Sequence, residues 1–137
     1  MNFLYAIAVT IGFTLFDLWL FPLTKDADGE PNKWRRPYRA LQIIVQLGLY
    51  TGAFFLGGWS AAAASAVIWW TGGCDVLFYW FGKYEFWGER NWFWMWWTPL
   101  GLVRGRRENL MNSVEVFRQS IIGAGIGVAI LNLGIVL

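Results

Sequence analysis

Hydrophobic positions in this chain come in long unbroken runs. Four stand out: Asn2 to Phe21, Leu41 to about Leu56, about Trp59 to Phe81, and Gln119 to Leu137. A membrane-spanning helix needs about 20 mostly apolar residues, with a range of about 17–25. The first, third and fourth runs fit that length directly. The second and third adjoin through Gly57-Gly58-Trp59-Ser60, an uncharged turn signal. One straight helix over Leu41–Phe81 would be about twice the hydrocarbon thickness, so a tight helical hairpin is expected. The pattern predicts an all-α integral membrane protein of one domain, with four transmembrane helices over about 2–22, 41–56, 59–82 and 112–137. Loops are expected over 23–40 and 83–111.

Composition agrees. Of 137 residues, 57% are hydrophobic, 20% aromatic and only 15% charged. The mean hydropathy is +0.42. About a quarter of the residues in a soluble domain are charged. The net charge of +2 matters less than its placement. Lys25, Lys33, Arg35, Arg36 and Arg39 follow the first run; Lys83, Arg90, Arg104, Arg106, Arg107 and Arg118 follow the third. The positive-inside bias then puts both loops in the cytoplasm and both termini outside. With no basic n-region and no small-residue cleavage pattern, the N-terminal run reads as a retained helix.

Against this background the stretch Gly72-Gly73-Cys74-Asp75-Val76-Leu77-Phe78-Tyr79-Trp80-Phe81 raises a question. It places a carboxylate inside an apolar run. Asp75 and Asp17 fall at similar depths, each within about 10 Å of the cytoplasmic interface. Gln42 and Gln46 share a helix face at that level, with Arg39 just before them. Arg118 and Gln119 open the fourth run, and Tyr79 lies one turn from Asp75. Intramembrane ionisable groups are costly and face a bundle interior or a wet cavity. Three readings are open. The cluster is a pocket for a lipid headgroup, ion or proton; or a polar clasp between helices; or, for Asp17, a side chain reaching the headgroups.

Small residues suggest how helices meet. Gly48 and Gly52 are four apart on the second helix, and Gly123 and Gly127 on the fourth. Ala61 and Ser65, and Ala62 and Ala66, repeat the spacing on the third. The Gly123–Gly127 face is open to a contact within the chain or with another subunit, and the latter is favoured because the second and third helices already pair through their turn.

Between the third and fourth helices lies a Trp-rich stretch, Tyr84 to Gly101, within a chain holding 11 Trp. Trp and Tyr favour the headgroup level. Its apolar part is too short to span, and Pro99 is expected to break any helix there. An interfacial or re-entrant element is predicted, either an anchoring belt or a lid over the polar cluster. Arg104, Arg106 and Arg107, like Arg35 and Arg36, suit anionic lipid phosphates. Residues from Glu108 to Gln119 are helix-compatible, and Glu115 can pair with Arg118. In the first loop Asp26, Asp28 and Glu30 alternate, but without the spacing of a calcium loop.

Several chemistries are excluded. The chain has no His, so imidazole-ligated metals and His-based catalysis are absent. Cys74 is the only thiol, which rules out an internal disulfide or dithiol pair. No cofactor, metal or nucleic-acid partner is expected. The partners expected are membrane lipids, with a second copy or a larger membrane complex as further candidates. Two functions of different class stand. One is a lipid- or small-molecule-binding accessory subunit of a homo-oligomeric or larger assembly. The other is a small intramembrane enzyme or transporter using Asp17 and Asp75 as working acids, with Arg39 and Arg118 holding an anionic headgroup.

Overall fold

A computed structural model describes residues 2–24, 33–87, 92–94, 98–104 and 110–136. The order is α1 (Asn2–Leu20), a 3-10 turn (Phe21–Thr24), α2 (Arg35–Trp70), α3 (Gly73–Phe81), β1 (Trp92–Trp94), α4 (Pro99–Arg104), β2 (Leu110–Asn112) and α5 (Ser113–Val136). Three helices are long and apolar enough to cross a membrane: Asn2–Thr24, Arg36–Trp70 and Ser113–Gly134.

The longest helix does not run straight. Gly58 sits at φ 75° and ψ −179°, inside an otherwise helical run. That positive φ favours glycine, and the helical axis breaks there. The contacts give the direction of the break. Val9 packs against both Ala53 and Ala61. Phe21 touches Tyr38 at 6.4 Å and Phe78 at 5.4 Å between ring centroids. In one straight helix residues 38 and 78 would stand about 60 Å apart. The chain therefore turns back on itself at Gly57–Gly58, and both limbs lie along α1.

The expected helix over 59–82 is interrupted. Gly72 adopts the left-handed conformation, φ 85° and ψ 16°, and α3 starts afresh at Gly73. Asp75 thus stands in the first turn of a new helix, where the backbone dipole favours a negative charge. The start of α2 also differs from expectation, at Arg35 rather than 41. Pro37 lies in its first turn, where no intrahelical N–H bond is lost.

One end of the molecule collects the end of α1, the starts of α2 and α5 and the end of α3. The opposite end is marked by Asn2, whose Nδ2 donates to Ser60 Oγ at 3.2 Å, and by Gly134, which abuts Ser60. α5 runs antiparallel to the limb after Gly58: Gly134 meets Ser60, Leu131 meets Ala64, Gly127 meets Ile68 and Gly123 meets Thr71.

Side chains are distributed in the reverse of a water-soluble fold. Among the largest fully buried ones are Thr14, Ser60 and Ser65, with Ala61 and Ala64 beside them. Outward-facing positions carry Leu4, Trp19, Ile43, Ile44, Phe55 and Ile122. Exposed apolar surface on this scale belongs against lipid or another apolar surface.

Within the Trp-rich stretch the described residues include a short strand. β1 pairs antiparallel with β2, Phe93 opposite Met111. Pro99, expected to break a helix, begins one. It takes the first position of α4, where a missing N–H costs nothing. Thr98 precedes it and accepts from Gly101 N at 3.4 Å. α5 opens with reciprocal bonds, Asn112 N to Glu115 Oε2 at 3.1 Å and Glu115 N to Asn112 Oδ1 at 3.0 Å. This is a capping box, and it gives Glu115 a role beyond the expected pairing with Arg118. Phe86, Met111 and Val116 form a small core beneath the sheet, with Tyr79, Leu100 and Phe117 around it.

Candidate functional site

The polar residues singled out from sequence fall into two separate centres. The first lies between α1, the early half of α2, and α3. On α2, Tyr38, Gln42, Gln46 and Tyr50 recur every fourth residue and so form one stripe. Gln42 Nε2 donates to Tyr38 Oη at 2.9 Å, and Gln46 Nε2 donates to Tyr50 Oη. Across from them α1 presents Thr10, Thr14 and Asp17, at a spacing of one helical face. Both threonines return their hydroxyls to their own helix, Thr10 to Ala6 O and Thr14 to Thr10 O, each at 2.9 Å. Asp17 Oδ1 accepts from Tyr38 Oη and from Gln42 Nε2.

α3 closes the third side. Cys74 is buried, its Sγ 3.8 Å from Thr10 O. Its neighbour Asp75 lies within electrostatic reach of Asp17 and of Arg39. Arg39 is exposed at the rim and donates to Gln42 Oε1 at 2.9 Å. The guanidinium thus reaches Asp17 through Gln42. Gln46 is 7% exposed. Its Oε1 is fully enclosed and has no hydrogen-bond partner. Buried amide oxygens are seldom left so, because each forfeits its bond to water.

The stripe from Tyr38 to Tyr50 covers about 18 Å, more than half of a hydrocarbon core of about 30 Å. It stops there. Val9, Ala53 and Ala61, packed by Tyr5, Leu49 and Tyr50, fill the space toward Gly58.

The second centre is a clasp at the break between α2 and α3. Thr71 O accepts from Gln119 Nε2 and from Ser120 Oγ, both at 3.1 Å. Gln119 Oε1 accepts from Leu100 N at 2.9 Å, tying in α4. Thr71 Oγ1 donates back to Val67 O at 2.9 Å. Gln119 therefore belongs to this clasp and not with the aspartates. Arg118 is exposed on α5, and no contact takes it to Asp17 or Asp75. Tyr79 turns to an aromatic cluster with Phe78, Tyr84 and Phe86.

The two glycine pairs are used differently. A Cβ on Gly123 would overlap the Thr71 side chain, and one on Gly127 would lie 3.2 Å from Ile68. That face is used within the chain. Gly48 and Gly52 have open space around them. Among the described residues, none packs on the face they occupy.

Of the basic residues matched to lipid phosphates, Arg36 is exposed. Arg35 and Arg104 belong to α2 and α4; Arg106 and Arg107 lie outside the described residues, as do Asp26, Asp28 and Glu30. Among the described residues no group of three metal-ligating side chains comes together.

Sequence reasoning did not place Tyr38, Tyr50 or Thr14 at the site, and noted Cys74 only as the one thiol. The four-residue spacing of Tyr38, Gln42, Gln46 and Tyr50 was the available signal. The chain matches no protein-family model, no curated protein and no solved structure.

Proposed function

We propose that this is an integral membrane protein that crosses the bilayer four times and binds a lipid headgroup or other small polar molecule. In this reading the α2 limbs on either side of Gly58 are separate crossings, the second completed by α3. The basic loops face the cytoplasm by the positive-inside bias. The ligand enters from that side, along the seam of Asp17, Asp75 and the α2 stripe. The observation that carries the reading is the seam itself, with two half-buried carboxylates, Asp17 and Asp75, and the enclosed, unpartnered amide oxygen of Gln46. The protein acts as an accessory subunit, assembling with a second copy or a larger complex. Gly48 and Gly52 remain as an open small-residue surface for such a contact.

The alternative, an enzyme or transporter, needs Arg39 and Arg118 together over the acids. Arg118 lies on α5, whose neighbouring Gln119 and Ser120 bond to Thr71 and not to either acid. The closed end at Val9, Ala53 and Ala61 speaks against passage through the seam.

The test is gentle extraction followed by native mass spectrometry of the wild type and of Asp75→Asn. A stoichiometric adduct on the wild type that is lost from a folded Asp75→Asn protein supports the reading. Identical spectra, with or without adducts, make the seam a packing device.

A further inference from the structure

The seam has a definite chemical bias. Its charged members inside the helices are carboxylates, Asp17 and Asp75. The one guanidinium beside them, Arg39, stays at the exposed rim and spends a donor on Gln42. Deeper in, on the same α2 face as Gln42, the Gln46 Oε1 is an enclosed acceptor with no donor. Gln46 Nε2 is already committed to Tyr50. What the seam lacks is hydrogen-bond donors carrying positive charge. An anion would meet two carboxylates without a facing cation. A methylated cation would leave Gln46 Oε1 unpaired.

We propose that the seam binds a primary ammonium group, seated among Asp17, Asp75 and the Gln46 carbonyl oxygen. This rests on the ligand-site reading above and names the class of ligand. The three N–H bonds of a primary ammonium give one donor to each of the three side chains, and its charge together with that of Arg39 balances the two carboxylates. The ammonium comes from an ethanolamine phospholipid or from a free amine. In the first case the lipid phosphate falls near the rim, where Arg39 is exposed.

The experiment uses the full chain, delipidated in detergent. Phosphatidylethanolamine, phosphatidylcholine and phosphatidylglycerol are titrated separately by native mass spectrometry. Soluble ethanolamine and phosphoethanolamine serve as competitors. Phosphatidylethanolamine should bind about tenfold or more tightly than phosphatidylcholine, which carries three N-methyl groups in place of the N–H donors. Asp75→Asn and Gln46→Leu should each erase that preference, while Asp75→Glu should retain it. Should Asp75→Asn fail to fold, Gln46→Leu alone decides, because it removes the free acceptor without removing a charge.

Displacement of the lipid by a soluble amine, or binding of the amine alone, supports the ammonium assignment and makes a free amine the ligand. Lipid binding that resists the soluble amine supports it with the lipid as ligand. Equal binding of all three lipids, still lost in Asp75→Asn, overturns the ammonium assignment and leaves the ligand site standing. Equal binding that no seam variant changes, or no binding of any lipid or amine, overturns both.

Discussion

The two polar centres differ in one respect that separates structure from site. At the Thr71–Gln119 clasp the polar groups close on one another. Gln119 spends its amide on Thr71 O and its carbonyl on Leu100 N, and Ser120 also reaches Thr71 O and Val116 O. All partners are neutral. Such a network holds helices together and leaves nothing for a ligand. At the seam, charges lie among apolar helices and one enclosed acceptor has no donor. Saturation marks the clasp as structural; the missing donor marks the seam as a place for something else.

That contrast is open to attack by substitution, and the clasp side should give the largest effects. Gly123→Leu forces a side chain into Thr71. It should destabilise by about 3 kcal/mol or more, or prevent folding. An SDS-unfolding titration in mixed micelles reads this directly, and wild-type behaviour would show that α5 can move away from α3 freely. Gln119→Leu strands Leu100 N and leaves Thr71 O with Ser120 alone, and should cost about 1–2 kcal/mol in the same titration. Equal stability would mean that water already competes at the clasp.

Seam variants should matter less for the fold. Tyr38→Phe removes one of the two donors to Asp17. Gln42 remains, so a loss of about 0.6 kcal/mol is expected, typical of one interhelical hydrogen bond in a membrane. Asp75→Asn should keep stability within about 0.5 kcal/mol of wild type while losing ligand. A large loss of stability there would make Asp75 part of the scaffold. The smallest effect is expected at Gly48→Ala, within about 0.5 kcal/mol, because none of the described residues faces that position. A measurable change in oligomeric state at Gly48 would assign the open face to contact with another chain.

Much of the architecture was legible along the chain. Apolar run length marked helices α1 and α5, and Gly57-Gly58 marked the reversal. Basic residues cluster where α1, α2, α3 and α5 share one end. The break at Gly72 was hidden, because Gly72 and Gly73 sit in a run whose hydrophobicity does not change across it. The β1–β2 pair was hidden for another reason. Trp92–Trp94 and Leu110–Asn112 are three residues each, too short for a periodicity to register, and they find each other only in space. The Asn112–Glu115 capping box was written in the sequence as a polar residue three before an acid, and it marks the start of α5.

The site divides in the same way. Sequence alone determines that Asp17 and Asp75 lie in apolar runs, that Gln42 and Gln46 share a face, and that no His takes part. These follow from composition and helical period, which are local properties. Which of the polar residues meet is not local. Gln119 joined Thr71, Tyr79 joined an aromatic cluster and Arg118 stayed outside, while Tyr38 and Tyr50 came in. The Gly123–Gly127 face closed on α3's neighbour Thr71, and the Gly48–Gly52 face stayed open. Those choices depend on how each helix is rotated about its axis. Packing against several neighbours at once sets that rotation, and only the assembled chain contains it.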